Sequence, residues 1–189
     1  MPTDDELVEE ILNGSQAAMD VLVRRHYKNI FSYVYRKMGN YHLAYDLTQE
    51  IFIKMMKSIK NYKQQGKFSS WLLKIAVNHC RDCYKSSDFR KEGQRVELPE
   101  NLAQDSSNVW DIFQRKQQRK EVRERILALP EYQREAIILR FYHDLKIKEI
   151  ALITGSKEST VKSRLRQGLE KLKNMLNGGE HCERTGNRF

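Results

Sequence analysis

Residues 147–172, IKEIALITGSKESTVKSRLRQGLEKL, decide how this chain is read. Ile147, Ile150 and Ala151 share one side of a short helix, and Gly155 ends it by supplying a residue able to take positive φ. A second helix follows, with Ser156 or Thr154 as its expected cap. Two helices joined by a short turn containing Gly make a helix-turn-helix. Ala151, Gly155 and Val161 have the spacing that motif needs: a small residue for close approach, a turn former, and an apolar residue under the second helix. On that second helix Val161, Leu165, Leu169 and Leu172 share the apolar side. Ser159, Ser163, Arg166 and Gln167 take the opposite side, flanked by Thr160, Lys162 and Arg164. Short hydroxyls let a phosphate or base edge come close, and long cations reach phosphates or guanine acceptors. By itself the face fits a solvated helix equally well. The preceding helix and turn favour DNA, because this motif lays its second helix in the major groove.

Upstream, LPEYQREAIILRFYHD (129–144) reads as a helix with Pro130 in its first turn, where a missing N–H costs nothing. Pro occurs only at positions 2, 99 and 130, and nearly the whole chain keeps a helical period. Residues 86–108 lose that period and gather Ser, Asp, Glu, Gly and Pro, which marks a linker. An all-α fold of two small helical domains joined by a flexible linker is therefore expected. Its boundaries are 1–88, a linker at 89–112, 113–177, and a tail at 178–189.

In the first domain, HLAYDLTQEIFIKMMKSIKNY (42–62) is a strong helix. Leu47, Ile51, Met55 and Ile59 recur every four residues and should face the core, while Asp46, Gln49, Glu50 and Ile53 fall on another side. That acidic and amide patch fits a basic helical partner or simple solvation. The polar loop NYKQQGKFSS follows, and then WLLKIAVNHCRDCYK forms a helix with Ser69 or Ser70 as expected cap. Leu72, Ile75, Ala76, His79 and Cys83 should face inward, with Lys74, Asn78, Arg81 and Lys85 on the other side. Cations beside a loop carrying aromatics suit single-stranded nucleic acid, although Phe68 and Trp71 fit a core better than base stacking.

The 189 residues carry 34 Lys plus Arg against 25 Asp plus Glu, a formal charge of +9. That excess suits a polyanionic partner without specifying a fold. The acidic start MPTDDELVEEILNG is not a secretory signal, and no run of about eighteen apolar residues spans a membrane. Three cysteines without framework spacing point to a reducing cytoplasm. Cys80 and Cys83 form a C-x-x-C that His181 and Cys182 could complete as a metal set, but a helical setting lacks the turn such sites use. No metal or cofactor is expected. No nucleophile triad, paired carboxylates or phosphate loop is visible, so an enzyme is not expected either.

Three segments together, DLTQEIFIKMMKSI, KFSSWLLKIAVNHCRD and LPEYQREAIILRFYHDLKIKEIALITGSKESTVKSRL, resemble the extracytoplasmic-function (ECF) sigma factors of the sigma-70 family. The likeness covers roughly residues 18–88 and 120–176. It implies a bacterial initiation subunit of RNA polymerase that keeps sigma regions 2 and 4. It implies that Asp46, Gln49, Glu50 and Ile53 pack on the clamp coiled coil of the largest polymerase subunit. It places Asn61, Tyr62, Lys63, Lys67, Phe68 and Ser69 near the melted −10 strand, with Lys74, Asn78 and Arg81 along it. It assigns Ser159, Thr160, Lys162, Ser163, Arg164, Arg166 and Gln167 to the −35 major groove. Region 4 would also meet the polymerase flap. An anti-sigma factor, often membrane-anchored in the family, would hold the chain inactive. Tyr45, Ser70 and the Ser159-Thr160-Val161 start of the last helix depart from the usual family pattern. The competing reading is a dimeric helix-turn-helix regulator on a palindromic operator.

Overall fold

The computed structural model describes residues 1–63, 67–86 and 119–183, with side chains through 177. The expected linker and the side chains of the expected tail lie outside the described residues. All regular structure among the described residues is helical. The chain divides into two compact units, the first carrying the four N-terminal helices.

In the first unit α1 spans Asp4–Leu12 and opens with a capping box: the Glu6 amide donates to Thr3 Oγ1 at 3.2 Å and the Thr3 amide to Glu6 Oε2 at 2.6 Å. α2 (Gln16–Met38) is capped by Ser15, whose hydroxyl accepts from the Ala18 amide. It ends at Gly39, held at φ 82°, a left-handed conformation that a Cβ would disfavour. Asn40 then caps α3 (Tyr41–Ser58), accepting from the Leu43 amide at 2.9 Å. A 3-10 turn, Ile59–Asn61, leads toward α4 (Phe68–Lys85).

α3 packs against both α2 and α4. The expected inward row Leu47, Ile51, Met55 and Ile59 is buried, joined by Ala44, Thr48 and Phe52. Thr48 is a polar group in that row, and its hydroxyl is satisfied by donating to the Ala44 carbonyl at 2.6 Å. α4 departs from expectation in two ways. Its buried residues are Phe68, Leu72, Leu73, Ala76, Val77, His79 and Cys80, while Ile75 and Cys83 are only half-buried. The helix meets α2 as well as α3, so its inward arc is wider than one stripe and turned toward Leu73 and Val77. Nor does Ser69 or Ser70 cap it. The helix starts at Phe68, and Lys67 stands at the cap with no side-chain bond to the helix.

The second unit begins with α5 (119–127). α6 follows at Glu131–Phe141, α7 at Ile147–Thr154 and α8 at Glu158–Glu183. Pro130 occupies the cap of α6 instead of its first turn, a difference of one residue. Arg134 is buried at 4% exposure because its guanidinium closes the end of α5, donating to the Leu127 carbonyl and, at 3.0 Å, to that of Leu129. Those carbonyls have no partner in their own helix.

α6 and α8 pack together at Gly168, where a Cβ would lie 2.8 Å from Ile137 Cδ1. The apolar stripe of α8 is therefore Val161, Leu165 and Gly168, all buried. Leu169, expected inside, is 45% exposed, and Leu172 is half-buried. The close approach at Gly168 turns Leu169 to the edge of the contact. Gly155 closes α7 at φ 62°, as expected of a turn residue. α8 starts at Glu158, so neither Ser156 nor Thr154 stands next to its first residue.

Two isoleucines on α3 test the division into inner and outer faces. Ile51→Ala should lower unfolding free energy by about 2–5 kcal/mol, the cost of a large-to-small change in a closed core. Ile53→Ala, at a residue 44% exposed, should stay within about 0.5 kcal/mol. Denaturant melts of both variants check this, and equal losses would contradict the face assignment.

Candidate protein-docking and nucleic-acid interfaces

Burial of one arc of α3 leaves Asp46, Gln49, Glu50 and Ile53 together on its exposed arc. The structure thus gathers all four as the sequence suggests, and it adds a feature the spacing did not reveal. His79 of α4 is buried, yet one edge of its ring reaches this face. Its Nε2 lies 2.8 Å from Glu50 Oε2, and its Nδ1 lies 2.7 Å from Lys54 Nζ. An ammonium can only donate, so Nδ1 accepts and the ring proton sits on Nε2, facing the carboxylate. That N–H is not aligned with the carboxylate oxygen, so the contact is mainly electrostatic. Burial, and next the Lys54 charge, hold the imidazole below its ordinary 6.5; Glu50 and Asp82 pull the other way. Glu50 is thereby oriented from behind, whereas Asp46 and Gln49 project from the helix alone.

Beside this face runs an aromatic ladder on α2. Tyr27, Phe31 and Tyr35 are half-buried and stack near-parallel, 6.2 and 6.0 Å between centroids, with Tyr41 edge-on to Phe31 at 5.3 Å. The four-residue spacing of these rings was a visible signal. Burial, with the Tyr45 and Tyr41 hydroxyls nearby, pushes the Tyr27 phenol up.

At the other end of α3, the 3-10 turn and the start of α4 bring the loop residues together. Asn61, Lys63 and Lys67 are exposed and Ser69 is half-buried. Tyr62 and Phe68 differ: they are 8% and 1% exposed. Their rings meet edge-on at 5.3 Å, and both tilt against Trp71 at 5.4 and 5.5 Å. In this conformation the two rings anchor the loop and present no face to a base. Lys74 and Asn78 are exposed one turn apart on α4, with half-buried Arg81 next along the helix.

In the second unit Ser159, Lys162 and Arg166 point outward from α8, with Thr160 and Ser163 partly exposed among them. Two other residues of the expected face are engaged. Arg164 donates to Ser156 Oγ at 3.0 Å and lies over the Tyr132 ring at 4.7 Å. Gln167 accepts from Gln133 at 3.1 Å. The helix angle explains the first: Arg164 projects sideways, toward α6. The front of the helix is then a hydroxyl and cation surface with few internal ties, suited to phosphates and base edges.

The C-x-x-C lies inside α4. Cys80 is buried and Cys83 is half-buried, its thiol pushed up by burial and then by Glu50. Such a thiol behaves as a small hydrophobe. The side chains of His181 and Cys182 lie outside the described residues.

Comparison with known proteins fits this geometry. Residues 22–90 match the family Sigma-70 region 2, and residues 119–172 match Sigma-70, region 4. The chain is 35% identical over 180 residues to the ECF RNA polymerase sigma factor SigE of Mycolicibacterium smegmatis, covering 91% of this chain and 67% of that one. It is 30% identical over 181 residues to the ECF RNA polymerase sigma-E factor of Escherichia coli, covering 92% and 94%. Among solved structures, CnrH in complex with the cytosolic domain of CnrY has the same fold, with a TM-score of 0.68 at 20% identity, covering 93% and 97%. The sigma factor RpoE with the anti-sigma factor NepR from Bartonella quintana gives 0.63 at 21% identity, covering 82% and 94%.

The His79 environment gives a pH prediction. Above 6.5 the ring is neutral in both folded and unfolded chain and has no effect. As pH falls below 6.5 the unfolded chain takes up a proton that the folded ring resists, so stability falls. Acidifying from neutrality should therefore destabilise the natural protein more than His79→Gln, measured by melting across a pH series. An equal or smaller loss in the natural protein would contradict the environment described.

Proposed function

The chain belongs to the ECF RNA polymerase sigma factors, and from that premise we propose how its two units share the work of initiation. It is a transcription initiation factor, and that membership displaces the dimeric operator-binding regulator. The first unit docks on core RNA polymerase through Asp46, Gln49, Glu50 and Ile53. An acidic patch around one apolar residue suits a basic helical surface such as the clamp coiled coil of the largest subunit. The observation that carries this reading is the exposure of all four residues on one face of a helix whose opposite face is buried.

The same unit holds the separated −10 strand. Asn61, Lys63, Lys67 and Ser69 meet the strand at the loop, and Lys74, Asn78 and Arg81 track its phosphates. Tyr62 and Phe68 serve the site as its foundation. The second unit reads the −35 duplex with Ser159, Thr160, Lys162, Ser163 and Arg166. Arg164 and Gln167 reach DNA only after leaving Tyr132 and Gln133, and the unit's further contact is the polymerase flap.

Two tethered DNA modules raise each other's effective concentration, so neither needs to bind tightly alone. Cation contacts to phosphate set register and make binding salt-sensitive. Good bidentate base contacts, at roughly 1–3 kcal/mol each, select the promoter. Unstacking a base costs a few kcal/mol, which the loop contacts and the polymerase must offset. No bond chemistry falls to this chain; nucleotidyl transfer belongs to the polymerase core.

The chain works in the cytoplasm. Among the described residues no helix is long and apolar enough to cross a membrane. Regulation by an anti-sigma factor, itself soluble or membrane-anchored, is supported by a fold neighbour that was solved with such a partner.

Pulldown of core polymerase, followed by run-off transcription on a genomic library, tests the whole reading. Asp46→Ala combined with Glu50→Ala should weaken polymerase binding about tenfold or more, consistent with loss of two charged contacts, with the fold intact and only a small drop in melting from the lost Glu50–His79 contact. Arg166→Ala should spare polymerase binding and lower affinity for the upstream duplex, by about fivefold or more if it makes a base contact. Normal transcription by both variants would remove the residue assignments.

A further inference from the structure

α1 precedes the residues that match the sigma-70 region 2 family, and nothing above gives it a task. Its first turn nonetheless carries two adjacent carboxylates, one bonded to the ring anchor Tyr62 and the other to His26, the neighbour of the ring anchor Phe68. Asp5 Oδ1 accepts from the Tyr62 hydroxyl at 2.7 Å. The same hydroxyl accepts from the Lys67 backbone N–H at 3.1 Å. Tyr62 and Lys67 bracket the loop, so one oxygen ties its two ends together. Lys67 has no side-chain cap, and the Tyr62 oxygen supplies the acceptor missing at this helix entry. A hydroxyl has one proton to donate. Committing that proton to Asp5 leaves a lone pair for Lys67, and the adjacent carboxylate polarises the oxygen into a better acceptor. Asp4 makes the second arm: it pairs with Arg25 Nη1 at 2.6 Å and with His26 Nε2 at 2.9 Å. The His26 ring lies 5.1 Å from that of Phe68.

We propose that α1 is a positioning element for promoter opening, in which Asp5, through the Tyr62 hydroxyl and the Lys67 amide, fixes the mouth of the loop that holds the separated −10 strand. This rests on the loop assignment made under Proposed function. Asp5 and Tyr62 are positioning residues; neither contacts DNA in this account. α1 is held to the unit by Leu7 and Val8, which are buried, so its attachment does not depend on the Asp5 bond. Losing that bond should loosen the loop mouth and leave the helix in place. A pre-ordered mouth spares the ordering cost when a strand is captured, so the effect should fall on opening and not on the earlier steps.

The test uses the full chain assembled with core polymerase on a promoter found by run-off transcription, with opening followed by permanganate reactivity of unpaired thymines. Asp5→Ala and Tyr62→Phe should slow opening about fivefold to tenfold, the scale of one net hydrogen bond, with unchanged affinity for polymerase and for closed duplex. Asp5→Asn keeps an oxygen that accepts from Tyr62, so it should open at close to the natural rate. Lys63→Ala with Lys67→Ala is the control for the loop itself and should also slow opening. Natural opening rates in Asp5→Ala and Tyr62→Phe, with the lysine control slowed, overturn this proposal and leave the loop assignment standing. Natural rates in the lysine control as well remove the loop assignment and this proposal with it. A loss in Asp5→Asn equal to that in Asp5→Ala, or a loss that follows melting temperature or polymerase affinity, assigns α1 a purely structural part and overturns the proposal.

Discussion

The first unit depends on α3 lying between two neighbours. A helix packed against α2 on one flank and α4 on the other must commit Ala44, Leu47, Ile51, Phe52 and Met55 to the interior. What remains is the outer arc that carries Asp46, Gln49, Glu50 and Ile53. The proposed docking patch is therefore what the core leaves exposed. Moving the inward row by one residue would carry Asp46 and Glu50 toward apolar neighbours, where an unpaired carboxylate is strongly disfavoured. Core and patch are thus two readings of one helical register.

The same logic governs the polar groups that do enter the interior. Thr48 bonds to its own helix, and Arg134 closes the end of α5. His79 borrows Lys54 and Glu50 from the surface. Thr48 Oγ1, Arg134 Nη2 and His79 Nδ1 thus each have a named partner in the interior. These partners also orient what they touch, so that Glu50 and the α5–α6 turn are held from inside.

Much of this was legible in the sequence where inward residues keep a plain four-residue period. Leu47, Ile51, Met55 and Ile59 are such a case, and Gly155 was legible separately as a turn residue. The reading failed where the buried arc is wider than one stripe or where a distant group intervenes. Leu73, Val77 and Cys80 were missed, and Ile75 and Cys83 placed too deep, because α4 buries a wider arc than a single stripe. Leu169 was misplaced because a glycine one position earlier makes the real contact. Ser69 and Ser70 looked like caps, but Lys67 stands at the cap, with its own amide donating to the Tyr62 hydroxyl. No local pattern could link Asp5 to Tyr62, since fifty-seven positions separate them. Arg164 lies on the basic helix yet is turned toward Tyr132, a partner visible only once α6 and α8 are packed.

The crossing of α6 and α8 at Gly168 sits on the side of α8 away from Ser159, Lys162 and Arg166. Support and the proposed reading face are thereby kept on different sides of one rod. Substitutions along the outer side can change its hydroxyls and cations while the packing under Gly168 is kept, so a new surface chemistry can arise on this helix without first relearning how to fold.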